Sequence, residues 1–125
     1  MRFECSRTNL VAAINTVQKA VSSRSTMPIL DGILLEVADN IKLTGYDLET
    51  GIEYKLDAEI YMTGSTVINS RLFGNIVRRL PEEAVLLEMK ENNIITIESG
   101  SSTFQLRGLP AEDYPKIPML KKLKI

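Results

Sequence analysis

Three arginines and an asparagine carry the first chemical signal in this chain. Arg71, Asn75, Arg78 and Arg79 stand at i, i+4, i+7 and i+8, so a helix would gather them on one face. Cations scattered along a smooth helical surface suit a phosphate backbone better than base edges, and such contacts give affinity without choosing sequence. The same residues also fit a plainly solvated face. Other chemistries are poorly supplied. The 125 residues include no histidine and one cysteine, Cys5, which removes histidine-based acid–base mechanisms, an internal disulfide and the common zinc centres. No metal or other cofactor is expected. Asp47 and Glu49 are the nearest approach to a catalytic carboxylate pair of a hydrolase. Nothing around them argues for a raised pKa, and acids two apart on a turn usually cap it or face water. With no Trp and three Phe, stacking on nucleobases has little to work with.

Charge is segregated along the chain although its net value is only −1. Residues 5–30 hold Arg7, Lys19 and Arg24 and no acid. Residues 31–59 hold eight acids against Lys42 and Lys55. Residues 60–81 return to pure base with Arg71, Arg78 and Arg79, and residues 82–115 set seven acids against Lys90 and Arg107. Lys116, Lys121, Lys122 and Lys124 close the chain. Basic and acidic blocks therefore alternate twice. The bulk composition, 44% hydrophobic and 25% charged, is that of one globular domain. No apolar run approaches a membrane span and no basic-then-apolar leader opens the chain, so a cytosolic protein is expected.

The elements that must position these residues follow from periodicity. Met1–Cys5 alternates as a short strand with Met1, Phe3 and Cys5 inward, which makes Cys5 a small buried hydrophobe. Residues 8–21 form a helix with Leu10, Val11, Ile14, Val17 and Val21 on its apolar face and Thr8, Ala12, Asn15 and Lys19 outward; Ser6 or Thr8 caps it. Strands follow at 33–38, 41–45 and 52–59, with a tight turn at Asp39-Asn40. The order then repeats: a strand at 66–68, a helix at 70–80 ending before Pro81, and strands at 84–90, 94–99 and 103–107. Leu72, Phe73, Ile76, Val77 and Leu80 form the second apolar stripe, with Asn69 or Ser70 as the cap. Glu36–Ile41 and Glu88–Ile94 can be laid side by side, which indicates an internal duplication of about sixty residues. The expected fold is α+β, a duplicated β-α-β-β-β with both helices on one face, the pseudo-repeats covering about residues 1–59 and 65–108.

Four segments in order resemble one family. Ser22-Ser-Arg-Ser-Thr-Met-Pro-Ile-Leu30, Leu43-Thr-Gly-Tyr-Asp-Leu-Glu49, Ile76-Val-Arg-Arg-Leu-Pro81 and Gly108-Leu-Pro-Ala-Glu-Asp-Tyr-Pro115 are similar to stretches of the first domain of the bacterial sliding clamp, the β subunit of DNA polymerase III. The resemblance covers essentially the whole chain. It implies a DNA clamp fold for residues 1–115, with 116–125 beginning a linker to a second domain. It also implies a non-catalytic processivity factor: a head-to-tail ring of six similar domains whose helices face double-stranded DNA and whose sheets form the outer wall. A basic lining and an acidic exterior are the charge pattern such a ring needs.

By position, the resemblance makes Arg24 a DNA-contacting arginine on a loop at the rim of the hole. It puts Arg71, Arg78 and Arg79 on a pore-lining helix, with Lys19 near the end of the other helix, where it can also serve the last carbonyls. Phe104 and Leu106 match apolar residues that meet the third domain of a second clamp chain, bordered by Leu72 and Ile76, on an expected edge strand. Ser101, Ser102 and Thr103 stand where basic residues are usual in the family, so the ionic part of that contact is not expected here. The family binds DNA polymerase and clamp loader through domains this chain does not include. DNA affinity of this chain alone is expected at or beyond roughly 10⁻⁴ M. A protein-interaction module working through the exposed strand is the alternative reading.

Overall fold

The computed structural model describes residues 1–21 and 27–125. β1 (Arg2–Ser6) runs straight into α1 (Arg7–Gln18), and the Ser6 hydroxyl accepts the Asn9 amide at 3.0 Å to cap the helix. After a 3₁₀ turn at Pro28–Asp31 come β2 (Gly32–Val37), β3 (Ile41–Tyr46), β4 (Gly51–Leu56) and β5 (Glu59–Met62). The second repeat is β6 (Gly64–Asn69), α2 (Ser70–Arg78), β7 (Ala84–Met89), β8 (Ile94–Ser99) and β9 (Ser102–Arg107). Asn69 caps α2 by accepting the Leu72 amide at 3.0 Å. A short β10 (Lys122–Lys124) closes the chain.

Two five-stranded sheets result, in the orders β5-β1-β7-β8-β9 and β10-β4-β3-β2-β6. All pairings are antiparallel except that of β10 with β4. The opening strand of each repeat crosses into the sheet of the other: β1 pairs with β7, Arg2 opposite Glu88, and β6 pairs with β2, Gly32 opposite Asn69. Inward residues of both sheets meet those of both helices in one core, with Phe3, Leu10, Ile33, Leu43, Ile68, Phe73 and Ile97 wholly buried. The outer face of the second sheet carries a smaller cluster, in which Tyr114 packs with Leu30, Tyr46 and Val67.

The duplicated α+β order is as the sequence indicates, with two differences. Both helices end early, at Gln18 and Arg78, while Ala20 and Leu80 stay buried. The last turns tighten to i→i+3 bonds, Ala20 N to Val17 O at 3.0 Å and Leu80 N to Val77 O at 3.3 Å, so the apolar stripe outlasts the α-helix. The strand expected at 52–59 is two strands in different sheets. Tyr54, Leu56, Ala58 and Ile60 keep one inward alternation across the break while the hydrogen-bonding partner changes from β3 to β1. The turn between β7 and β8 falls on Asn92 (φ 62°) and Asn93 (φ 57°), both left-handed, a conformation asparagine tolerates better than most.

Gly45 in β3 lets α1 approach closely: a Cβ there would lie 2.2 Å from the Val17 carbonyl oxygen. α1 therefore rests on the sheet backbone itself and packs beside α2, which settles the height and spacing of the outer helical surface.

Candidate nucleic-acid interface

α2 turns Phe73, Gly74 and Val77 into the core and leaves Arg71, Asn75, Arg78 and Arg79 exposed, as the four-residue spacing requires. α1 exposes Thr8, Ala12, Asn15 and Lys19 on the same outer surface. Two side chains cross the seam. Gln18 Nε2 donates to the Ser70 carbonyl at 2.8 Å, and Arg78 Nη2 donates to Asn15 Oδ1 at 2.6 Å and Gln18 Oε1 at 2.9 Å. Both acceptors are neutral amides, so the guanidinium keeps its full charge. Gly74, four residues before Arg78, provides the clearance: a Cβ there would stand 2.6 Å from Arg78 Nη1 and 3.0 Å from Gln18 Nε2.

Among the described residues no carboxylate lies within ion-pair distance of Lys19, Arg71, Arg78 or Arg79. The ion pairs fall elsewhere: Arg2 with Glu88 (3.9 Å), Arg7 with Glu83 (3.5 Å), Lys42 with Glu36 (3.8 Å) and Glu53 (3.4 Å), and Lys122 with Glu53 (3.2 Å). Glu4, Glu36, Glu53, Glu59, Glu88 and Glu98 all lie in strands. Cations unmatched on helices and acids on sheets give the molecule a positive side. Between the helices lies a groove of about 470 Å³ lined by Gln18, Ser70, Arg71, Asn75 and Arg78, with Asp31 the single acid among its described lining residues.

Arg24 lies outside the described residues. Lys19 is the C-cap of α1, and it is the Lys19 backbone amide that bonds the Thr16 carbonyl at 3.4 Å, the Ala20 amide taking that of Val17, while the Lys19 side chain is exposed. β9 stands at the edge of its sheet. Leu106 is 7% exposed and belongs to the core, so the side chain has little surface left for a neighbour; Phe104, on the same face of the strand, is half-buried against that core. Ile76 is half-buried too, whereas Leu72 is 44% exposed. The helical face and the β9 edge are separate features of one domain.

The carboxylate pair is structural. Asp47 Oδ1 accepts the amides of Thr50 (2.7 Å) and Glu49 (2.9 Å), and the Thr50 bond above all holds the carboxyl below its ordinary pKa, the opposite of what a general acid needs. Burial, helped by Glu4 and Glu83, pushes the Cys5 thiol up to about 12, so it is no nucleophile. Sequence reasoning placed Asn15 on the outer face but missed its hold, and that of Gln18, on Arg78. The available signal was Gly74 itself, since an isolated glycine inside a short helix usually has a packing reason.

Fold and face together define the class, a duplicated α+β domain with a cationic helical side. Residues 1–118 match the DNA polymerase III beta subunit, N-terminal domain, and the chain belongs to that family. It is 39% identical to the "Beta sliding clamp" of Halalkalibacterium halodurans over 98% of this chain and 34% of that protein. It is 36% identical to that of Vibrio harveyi over 94% of this chain and 82% of that sequence. The solved DNA polymerase sliding clamp of Bacillus subtilis superposes with a TM-score of 0.91 at 36% identity, covering 95% of this chain and 34% of the clamp chain. That of Caulobacter crescentus gives 0.87 at 32% identity, covering 94% and 33%. The chain thus spans about a third of most of the relatives it matches.

Proposed function

We infer that this chain is the first domain of a sliding clamp, a non-catalytic, ring-forming processivity factor that tethers the replicative polymerase to duplex DNA in the bacterial cytoplasm. The observation that carries the reading is the helix pair, whose four cations, Lys19, Arg71, Arg78 and Arg79, face outward with no carboxylate within ion-pair distance among the described residues. Such a surface attracts a polyanion without reading bases, so no base-specific bond has to break as a ring slides. Residues 1–115 form the clamp domain in this reading, 116–125 lead toward the second, and Arg24 adds a loop contact. The β9 edge, with Phe104 and Leu72 beside Ile76 and the buried Leu106, meets the third domain of a second chain. Polymerase and clamp loader engage the remaining domains.

The test is a residue-resolved NMR titration of the chain with a short mixed-sequence duplex at low and moderate salt. Shifts confined to residues 8–24 and 70–80, weakening with salt and indifferent to sequence, are expected, with a dissociation constant of roughly 10⁻⁴ M or weaker near physiological salt. Silence at those residues at low salt would refute the DNA-facing role. A second reading, an interaction module acting through β9, draws on that strand's unpaired outer edge. Phe104→Ala separates the two, because it should weaken partner binding and leave duplex contact intact.

A further inference from the structure

Arg78 differs from its neighbours in being held. Arg71 and Arg79 extend from α2 with no hydrogen bond to another side chain among the described residues, whereas the Arg78 guanidinium lies back across Gly74 and is gripped from α1 by Asn15 and Gln18. The grip occupies only Nη2. A guanidinium has five N–H donors, so Nε–H and both Nη1 hydrogens stay available, at a fixed place on the wall of the inter-helix groove that Arg71 and Asn75 also line. A glycine at the centre of a nine-residue helix works against that helix, and no turn or positive φ at Gly74 calls for it. What its missing side chain does allow is the passage of this guanidinium.

We propose that Asn15, Gln18 and Gly74 are positioning residues that lock Arg78 across the helix seam, so that the groove between Arg78 and Arg71 holds one backbone phosphate of duplex DNA at a fixed point. The proposal rests on the DNA-facing reading of the helix pair and adds a preorganised site to an otherwise diffuse cationic surface. Holding a long side chain in its bound geometry removes the ordering cost that binding would otherwise meet. Lysine could not take this place, because it has no planar fork to span two amide oxygens and still present donors to the groove. Asp31 also lines this groove, so the phosphate has to bind against the arginines and clear of that carboxylate.

The test compares the chain with Gly74→Ala, Asn15→Ala and Arg78→Lys in duplex titrations at low salt, with thermal melts alongside. Gly74→Ala and Asn15→Ala keep every cation and favour the helix, so melting temperatures should hold or rise. Duplex affinity should nevertheless fall by about two- to tenfold in both, the gain expected from one preordered side chain. Arg78→Lys, with its charge intact, should fall at least as far. In the unsubstituted chain the Arg78 Nε–H resonance should move on adding duplex. If the unsubstituted chain binds through its helices while all three variants bind equally well, the positioning role is overturned and the DNA-facing reading stands. If the unsubstituted chain shows no helical shifts at all, that reading fails and takes this one with it.

Discussion

Gly45→Ala is the substitution that most directly probes how the helical layer is set on the sheets. The added methyl would be 2.2 Å from the Val17 carbonyl oxygen and 3.1 Å from the carbonyl carbon. Both are backbone atoms in the last turn of α1, where it packs on the sheet, so no side chain can turn aside. Relief requires α1 to rise by about 1 Å to reach ordinary contact. Leu10, Ala13, Ile14 and Val17 beneath it are at most 1% exposed, and a gap of that size forfeits a quarter to a half of each dispersion contact. Overpacking typically costs about 1–3 kcal/mol, and the lack of any yielding neighbour puts this case near the top, about 3 kcal/mol. With a urea dependence of about 2 kcal/mol per molar, the midpoint followed by far-ultraviolet circular dichroism should drop by about 1.5 M. Gly74→Ala is the internal comparison, since there the obstructing atoms are side-chain ends and no loss of stability is expected. An unchanged midpoint for Gly45→Ala would refute the claim that α1 is seated on the sheet backbone.

Three further outcomes are expected. Cys5, with its thiol pushed up to about 12 by burial, should resist a thiol reagent at pH 8 in the folded chain and react promptly in urea; rapid labelling of native protein would contradict its placement. Asp47 and Glu83 have folded pKa values held down, by the Thr50 amide and by the Thr8 hydroxyl respectively, so their contribution is present above the unfolded carboxylate values near 4 and is lost as pH falls through the lower folded ones. Urea midpoints between pH 6 and 3 should therefore decline less steeply in Asp47→Asn than in the parent chain, and parallel declines would remove Asp47 from the account. Glu53→Gln takes away the carboxylate shared by Lys42 and Lys122, which should cost about 1–2 kcal/mol for a pair with half-exposed lysines. Amide exchange at Ile125, whose N–H donates to the Glu53 carbonyl at 2.8 Å, should accelerate, and an unchanged rate would mean that β10 is held without the ion pair.

Much of this was legible because local periodicity and capping chemistry agree with the fold. Ser6 and Asn69 are the right residues just ahead of two apolar stripes, and both caps form. The outward spacing of Arg71, Asn75, Arg78 and Arg79 needs nothing beyond helix geometry. The strand partners were a different matter. Tyr54, Leu56, Ala58 and Ile60 alternate without interruption, and alternation reports which way a side chain faces, not which neighbour its backbone bonds. For the same reason β1 and β6 could be identified as strands without revealing that each sits in the other repeat's sheet. Leu106 received its interface role from the resemblance, and local pattern alone did not show that its side chain faces the core like any inward residue of an edge strand. The Arg78 grip joins residues sixty and more positions apart, 63 for Asn15 and 60 for Gln18, and no local pattern encodes a contact of that span.

The exchange of opening strands has a consequence for how the chain is made. β1 leaves the ribosome before both of its neighbours, β5 and β7; until β7 emerges it has at most the four-residue β5 to bond. At translation speeds of about 5–20 residues per second the nascent chain holds that strand open for several seconds, longer than any hairpin needs to form. Neither repeat can close its own sheet, so a half-length product would expose an unfilled edge and complete itself with a second copy. The two halves each finish the other, so the domain closes only when both have been made.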